Sequence, residues 1–200
     1  MGAAPGYVDA VGVATDGITF FVGSLFFTVA AALQFLEVVN VSRLPHSSGP
    51  RRRLRPLSWE PQRIEWWAAA VQLAGTVFFN VSTFDALREH LSATQADRLV
   101  WSPDAFGSIC FLVSSWLAWL EVGRSRWSWR PRSLSWRITA LNLVGSIAFG
   151  ASAVASHVVP SSDQPRNATL MNLGTFIGAL CFLVGAVLLL PERTHEPDPH

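Results

Sequence analysis

Lysine is absent from this chain: all fifteen basic residues are arginine. Charge of either sign is scarce, at 14% of 200 residues, where a soluble domain carries about a quarter. Cysteine is nearly missing as well. Cys110 and Cys181 both sit inside apolar runs, which excludes a disulfide framework and a cysteine-based zinc site. No Walker loop, nucleophile elbow, kinase motif set or H-E-x-x-H pair occurs. The chain is therefore expected to be no enzyme and to use no cofactor and no metal. Asp85, Glu89, His90 and His157 carry metal-binding groups. Only Asp85 and Glu89, spaced i, i+4, are bound to share a helix face, so the set reads as ordinary interface polarity.

What the chain has instead is long apolar runs. Residues 17–36, 66–84, 105–120, 138–159 and 170–191 contain no Asp, Glu, Lys or Arg over 20, 19, 16, 22 and 22 residues. About 20 residues at ~1.5 Å rise cross the ~30 Å hydrocarbon core of a bilayer. The expected fold class is all-α: a polytopic membrane protein with five transmembrane helices. The third run is short, which puts its flanking Asp104 and Glu121 near the two interfaces. Trp66, Trp67, Trp101, Trp119 and Trp136 fall near expected helix ends, where indoles favour the headgroup boundary.

The arginines orient the chain. Counted before, between and after the runs they number 0, 6, 2, 5, 1 and 1. The positive-inside rule then predicts an outer N-terminus and a cytoplasmic C-terminus. The expected organisation is an outer tail (1–16), transmembrane helix 1 (17–41), a basic cytoplasmic loop (42–62), hairpin 1 (63–123), a second basic loop (124–135), hairpin 2 (136–192) and a cytoplasmic tail (193–200). The first run has no basic leader and is too long for a cleaved signal, so it reads as an anchor. Composition and localisation together suggest a bacterial cell membrane.

A pattern recurs in every run. Gly is followed four residues later by Phe and seven residues later by a small residue: Gly23/Phe27/Ala30, Gly75/Phe79/Ser82, Gly107/Phe111/Ser114, Gly145/Phe149/Ser152 and Gly178/Phe182/Gly185. The spacing 0, 4, 7 keeps one helix face. In lipid such a stripe lets backbones approach, and it reads first as a helix-packing seam. Gln72 and Asn142 each precede the Gly by three residues, and the two later pairs of runs repeat at a spacing of 70 to 71. The chain thus reads as one helix followed by a hairpin written twice, the copies running parallel rather than inverted.

Asn142, Gly145, Ser146 and Phe149, followed by Gly174, Thr175, Phe176 and Gly178, give hairpin 2 an outline that resembles the YrhK-like domain, a small two-helix bacterial membrane module. Hairpin 1 follows it more loosely, with Gln72 for the Asn and Pro103-Asp104 for Gly-Thr. The resemblance implies a membrane module and brings no catalytic residues.

Polar groups inside the runs are the remaining candidates. Gln72, Asn142 and Asp104, with Glu37, Glu121 and Glu192 each 14 residues after a seam glycine, form the set from which a pathway for a solute or ion would be built. The plainer expectation is that the amides bond between helices and the glutamates are solvated anchors near arginine. Arg51, Arg52, Arg53 and Arg55 are expected to contact anionic lipid headgroups rather than nucleic acid. The function expected from the sequence is a non-enzymatic membrane scaffold or interaction module, partnered by lipid and by a second copy or another membrane protein. A small-solute or ion permease is the alternative.

Overall fold

The computed structural model describes residues 3–4, 6–41, 55–88, 90–123, 133–159 and 164–194. Within these the chain is almost wholly helical. A single turn-and-a-half, α1 (Tyr7–Val11), leads through Gly12 into α2 (Val13–Asn40). Gly12 has φ +83°, a conformation that favours glycine. Where the sequence reads as a tail through residue 16, the structure already has helix, and the Tyr7 hydroxyl lies 3.0 Å from Thr19 Oγ1.

Next come α3 (Ile64–Asp85), the one-turn α4 (Ala93–Ala96), α5 (Ser102–Gly123), α6 (Leu134–Ser156) and α7 (Ala168–Thr194). A two-residue antiparallel pairing, β1 (Val158–Val159) with β2 (Gln164–Pro165), lies between α6 and α7. The long helices neighbour one another in the order α2, α3, α5, α6, α7.

Four helical stretches are long and apolar enough to cross a membrane: Val13–Asn40, Ala93–Val122, Leu134–Ser156 and Ala168–Leu189. α3 has the length, at 22 residues, but Gln72, Asn80 and two tryptophans dilute its hydrophobicity. It still packs between α2 and α5.

The helix that carries the third run differs from the sequence expectation. It begins at Ala93, where Ser92 and Gln95 form a reciprocal capping box. α4 runs into α5 through a π-turn at Asp97–Trp101, closed by Ser102 N–H donating to the Asp97 carbonyl. The cause lies just downstream. Pro103 has no N–H, and its ring crowds the carbonyl one turn back, so the wider turn absorbs the misfit. Asp104 thereby lies roughly 16 Å along the helix from its start, taking eleven residues at ~1.5 Å each.

The distribution of side chains is that of a protein whose solvent is apolar. Large hydrophobics face outward: Phe26 is 72% exposed, Leu33 61% and Leu183 61%. The interior is rich in hydroxyls, with Thr76, Ser108, Ser114, Ser115, Ser146 and Ser152 buried. Small polar residues at helix contacts bring backbones close and bond across them.

Candidate functional site

The seam residues meet in pairs within each hairpin. A Cβ placed on Gly75 would stand 3.2 Å from the Gly107 carbonyl oxygen and 2.9 Å from Cys110 Cβ; one on Gly107 would stand 3.1 Å from the Gly75 carbonyl oxygen. In the second hairpin the same construction gives 3.1 Å from Gly145 to the Gly178 oxygen, 3.1 Å to Cys181 Cβ and 3.1 Å from Gly178 to the Gly145 oxygen. The small residue at the seam's end also acts alike in both: Ser82 Oγ donates to the Val100 carbonyl at 2.8 Å, and Ser152 Oγ to the Met171 carbonyl at 2.7 Å.

The five phenylalanines of the motif converge. Phe27 stacks on Phe111 (centroids 5.2 Å) and meets Phe182 edge-on (5.5 Å); Phe79 contacts Phe111 and Phe149 (5.2 and 5.7 Å); Phe149 stacks on Phe182 (5.7 Å). Phe111 is at the centre and fully buried. Offset-stacked and edge-on rings each add roughly 0.5–1.5 kcal/mol beyond burial, so one side chain per helix ties all five together.

The first helix uses the motif differently. Its contact with α3 runs along Ser24, Thr28, Ala31 and Phe35. Ser24 Oγ lies 2.8 Å from Thr83 Oγ1, and Thr28 accepts from Asn80 Nδ2 at 2.8 Å. Phe35 and Val39 pack with Trp66 and Ala69. Gly23 and Ala30, about 100° round the helix, line a cavity instead, and a Cβ on Gly23 would have no atom within 4 Å.

The amides divide by hairpin. Gln72 Nε2 donates to Gln34 Oε1 at 3.0 Å, and Gln72 Oε1 accepts from Ser114 Oγ at 3.2 Å; Ser114 also donates to the Ala68 carbonyl at 2.7 Å. Asn142 Oδ1 faces Gly185, 2.9 Å from where its Cβ would be. Gly185 is to Asn142 as Ser114 is to Gln72: without a side chain it leaves the amide room.

Asp104 stands apart from both amides. It lines a cavity of about 540 Å³ between α2 and α7, walled by Phe27, Phe149, Phe176 and Phe182 with Ser24, Ser152 and Thr175. Among the described residues its carboxylate makes no hydrogen bond or ion pair. The helix extends back to Ala93, because Pro103 is accommodated by the π-turn rather than ending it, so Asp104 lies inside a continuous helix rather than at its start.

The glutamates are not gathered. Glu37 is near the end of α2 and has an interaction partner. Glu121, at the end of α5, faces Glu65 and Arg63. Glu192 is in the last turns of α7, and its side chain lies outside the described residues. Arg63 donates to Glu60 at 2.7 Å and to the Val38 carbonyl at 3.1 Å, and lies 3.6 Å from Glu65. The Glu60 hydrogen bond holds its guanidinium above the ordinary pKa.

Arg51, Arg52 and Arg53 lie outside the described residues. Arg55 is held by its backbone, whose N–H and carbonyl each bond the buried Asn40 carboxamide at 2.8 Å. Trp59, Trp66 and Trp67 then cluster edge to face, with Trp66 Nε1 donating to the Ser58 carbonyl at 2.7 Å. His157 pairs with Asp97 at 3.5 Å and Asp85 with Arg88 at 2.9 Å. Among the described residues no group of three potential metal ligands forms.

Two positions escaped the motif. A Cβ on Gly174 would stand 2.7 Å from the Ala148 carbonyl oxygen, the tightest glycine approach described. Trp101 Nε1 donates to the Ala153 carbonyl at 2.8 Å, tying the head of α5 to α6. Gly174 lies one helical turn before the seam glycine Gly178, which was its signal; Trp101 gave none beyond its place near a helix end. No family model, curated protein or solved structure matches the chain.

Proposed function

We propose that the chain is a five-span integral membrane protein, outside at its N-terminus and cytoplasmic at its C-terminus, acting as a non-enzymatic scaffold or interaction module of a bacterial cell membrane. α3 is the fifth span in this reading. The single observation that carries the scaffold role is the disposition of the polar groups. Gln72 is engaged by Gln34 and Ser114, Asn142 is turned toward Gly185, and Asp104 opens into a cavity that neither amide lines. One amide that fastens helices, with the other polar groups dispersed to separate places, supports packing rather than a shared pathway.

The likeness of the Gly75–Gly107 and Gly145–Gly178 contacts favours the twice-written hairpin; the YrhK-like reading of α6 and α7 rests on their sequence outline alone. Arg51, Arg52, Arg53 and Arg55, which precede Trp59 in sequence, would hold the cytoplasmic side against anionic headgroups. A second reading, a permease, draws on the lone carboxylate of Asp104 in its cavity.

A flux assay separates the two. Purified protein in proteoliposomes is expected to carry small ions and neutral solutes at the rate of empty vesicles, and the Gln72→Leu/Asn142→Leu variant to behave identically. Flux in the wild type that the double variant loses would overturn the scaffold reading and put both amides on a pathway.

A further inference from the structure

We infer that the cavity between α2 and α7 is a binding site for a hydrophobic organic cation, held by Asp104 and the phenylalanine rings around it. This goes beyond the scaffold reading and does not rest on it. The cavity, at about 540 Å³, falls within the roughly 300–1,000 Å³ of small-molecule pockets. Its chemistry is unusually one-sided. Among the described residues of its wall Asp104 is the one titratable side chain, and no basic side chain faces it.

The rest is aromatic surface relieved by a few hydroxyls. Phe27, Phe149, Phe176 and Phe182 present rings, and Ser24 and Ser152 already bond Thr83 and Met171. Ring faces carry partial negative charge and attract cations, most strongly away from water. A carboxylate in the same wall adds full charge. An anion would meet repulsion from both; a neutral apolar molecule would leave the carboxyl group without a partner and gain nothing from its charge. A compact metal ion would lack ligands, because one carboxylate is far short of the six or more oxygens that hard cations require. The complement left is a bulky cation whose charge is spread over apolar groups.

Access fits the same ligand. Phe26 and Leu183, on the rims of the cleft, are 72% and 61% exposed on the apolar exterior, so a molecule dissolved in the bilayer reaches the site without crossing a polar surface. Gly23 and Ala30 of the recurrent motif border this space. The first helix therefore keeps its small residues where a ligand needs room, whereas Gly75, Gly107, Gly145 and Gly178 use theirs for backbone contact.

The test is equilibrium binding of tetraphenylphosphonium to full-length protein in lipid nanodiscs, against empty nanodiscs. Tetraphenylborate, alike in shape and opposite in charge, is measured in a separate sample, because the two ions precipitate together. Saturable binding of the cation and none of tetraphenylborate is expected. Asp104→Asn should weaken it by about tenfold or more, while Asp104→Glu retains it. Gly23→Leu should fill the cavity and abolish binding without lowering the unfolding temperature, which shows that the fold persists. Undiminished binding by Asp104→Asn or by Gly23→Leu, equal saturable binding of tetraphenylborate in its own sample, or no binding above empty nanodiscs would each overturn the inference.

Discussion

At the scale of single residues, the same amino acid does opposite work at equivalent motif positions. Gly75 and Gly23 each lead a Gly/Phe/small triplet, yet one abuts a backbone and the other faces open space. Substitution by alanine should separate them. Gly75→Ala forces a methyl to within 2.9 Å of Cys110 Cβ, and overpacking of this kind costs about 1–3 kcal/mol. Gly174→Ala should be at least as damaging, since the atom it meets at 2.7 Å is the Ala148 carbonyl oxygen rather than a movable side chain. Gly23→Ala meets nothing, and the better helix former should raise stability by up to about 1 kcal/mol. Unfolding of the purified variants in one detergent, followed by circular dichroism, reads all three. A fall in stability for Gly23→Ala matching that of Gly75→Ala would mean that α2 packs in a way the geometry does not have.

At the scale of elements, α5 is the member that the others hold. Its consecutive Ser114 and Ser115 face different helices: Ser114 bonds the Ala68 carbonyl of α3 at 2.7 Å, and Ser115 lies 2.7 Å from Ser146 Oγ of α6. Ser146 in turn donates to carbonyls on both sides, Phe111 at 3.1 Å and Asn142 at 2.8 Å. Removing either hydroxyl should cost on the order of 1 kcal/mol, near the range of interhelical bonds in membranes. The Ser115→Ala/Ser146→Ala double variant should cost less than the sum, because the two share one bond. Strict additivity in a double-mutant unfolding cycle would remove the bond from the account.

The sequence did not foreshadow this knot, since serines there are indistinguishable in pattern from the surrounding small residues. Other features of the elements were legible. Runs of uncharged residues mark the five long helices, and the 0, 4, 7 spacing marks the face on which Phe27, Phe79, Phe111, Phe149 and Phe182 meet. The start of this helix was not legible, because Pro103 and Asp104 read as the boundary of the run that begins at residue 105. Only the π-turn shows how a helix passes through them.

At the scale of the whole molecule, the threading hinges on α3. If Ile64–Asp85 crosses the bilayer, the chain crosses five times and residues 9 and 198 lie on opposite sides; if it lies on the surface, the crossings number four and they share a side. Hydropathy alone leaves α3 below the other helices, for a physical reason that belongs to the assembly. Gln72 and Asn80 are expensive to insert alone, a few kcal/mol for an unbonded amide. In the folded chain Gln34 and Thr28 of α2 take up their donors at 3.0 and 2.8 Å. The arginines favour the crossing too, because a surface α3 would put the five arginines of residues 124–137 on the side opposite the six of residues 43–63 and so weaken the asymmetry that orients the spans.

The expected outcome is therefore context-dependent. Grafted alone into a host protein as a test segment, α3 should insert poorly, and Gln72→Leu/Asn80→Leu should rescue it. In the full chain, with Cys110 and Cys181 replaced by alanine, a membrane-impermeant maleimide added to intact cells should label Asp9→Cys and spare Asp198→Cys until the cells are opened. Labelling of both cysteines, or of neither, would mean that α3 stays out of the membrane and that pairing with α2 is not enough to draw it in.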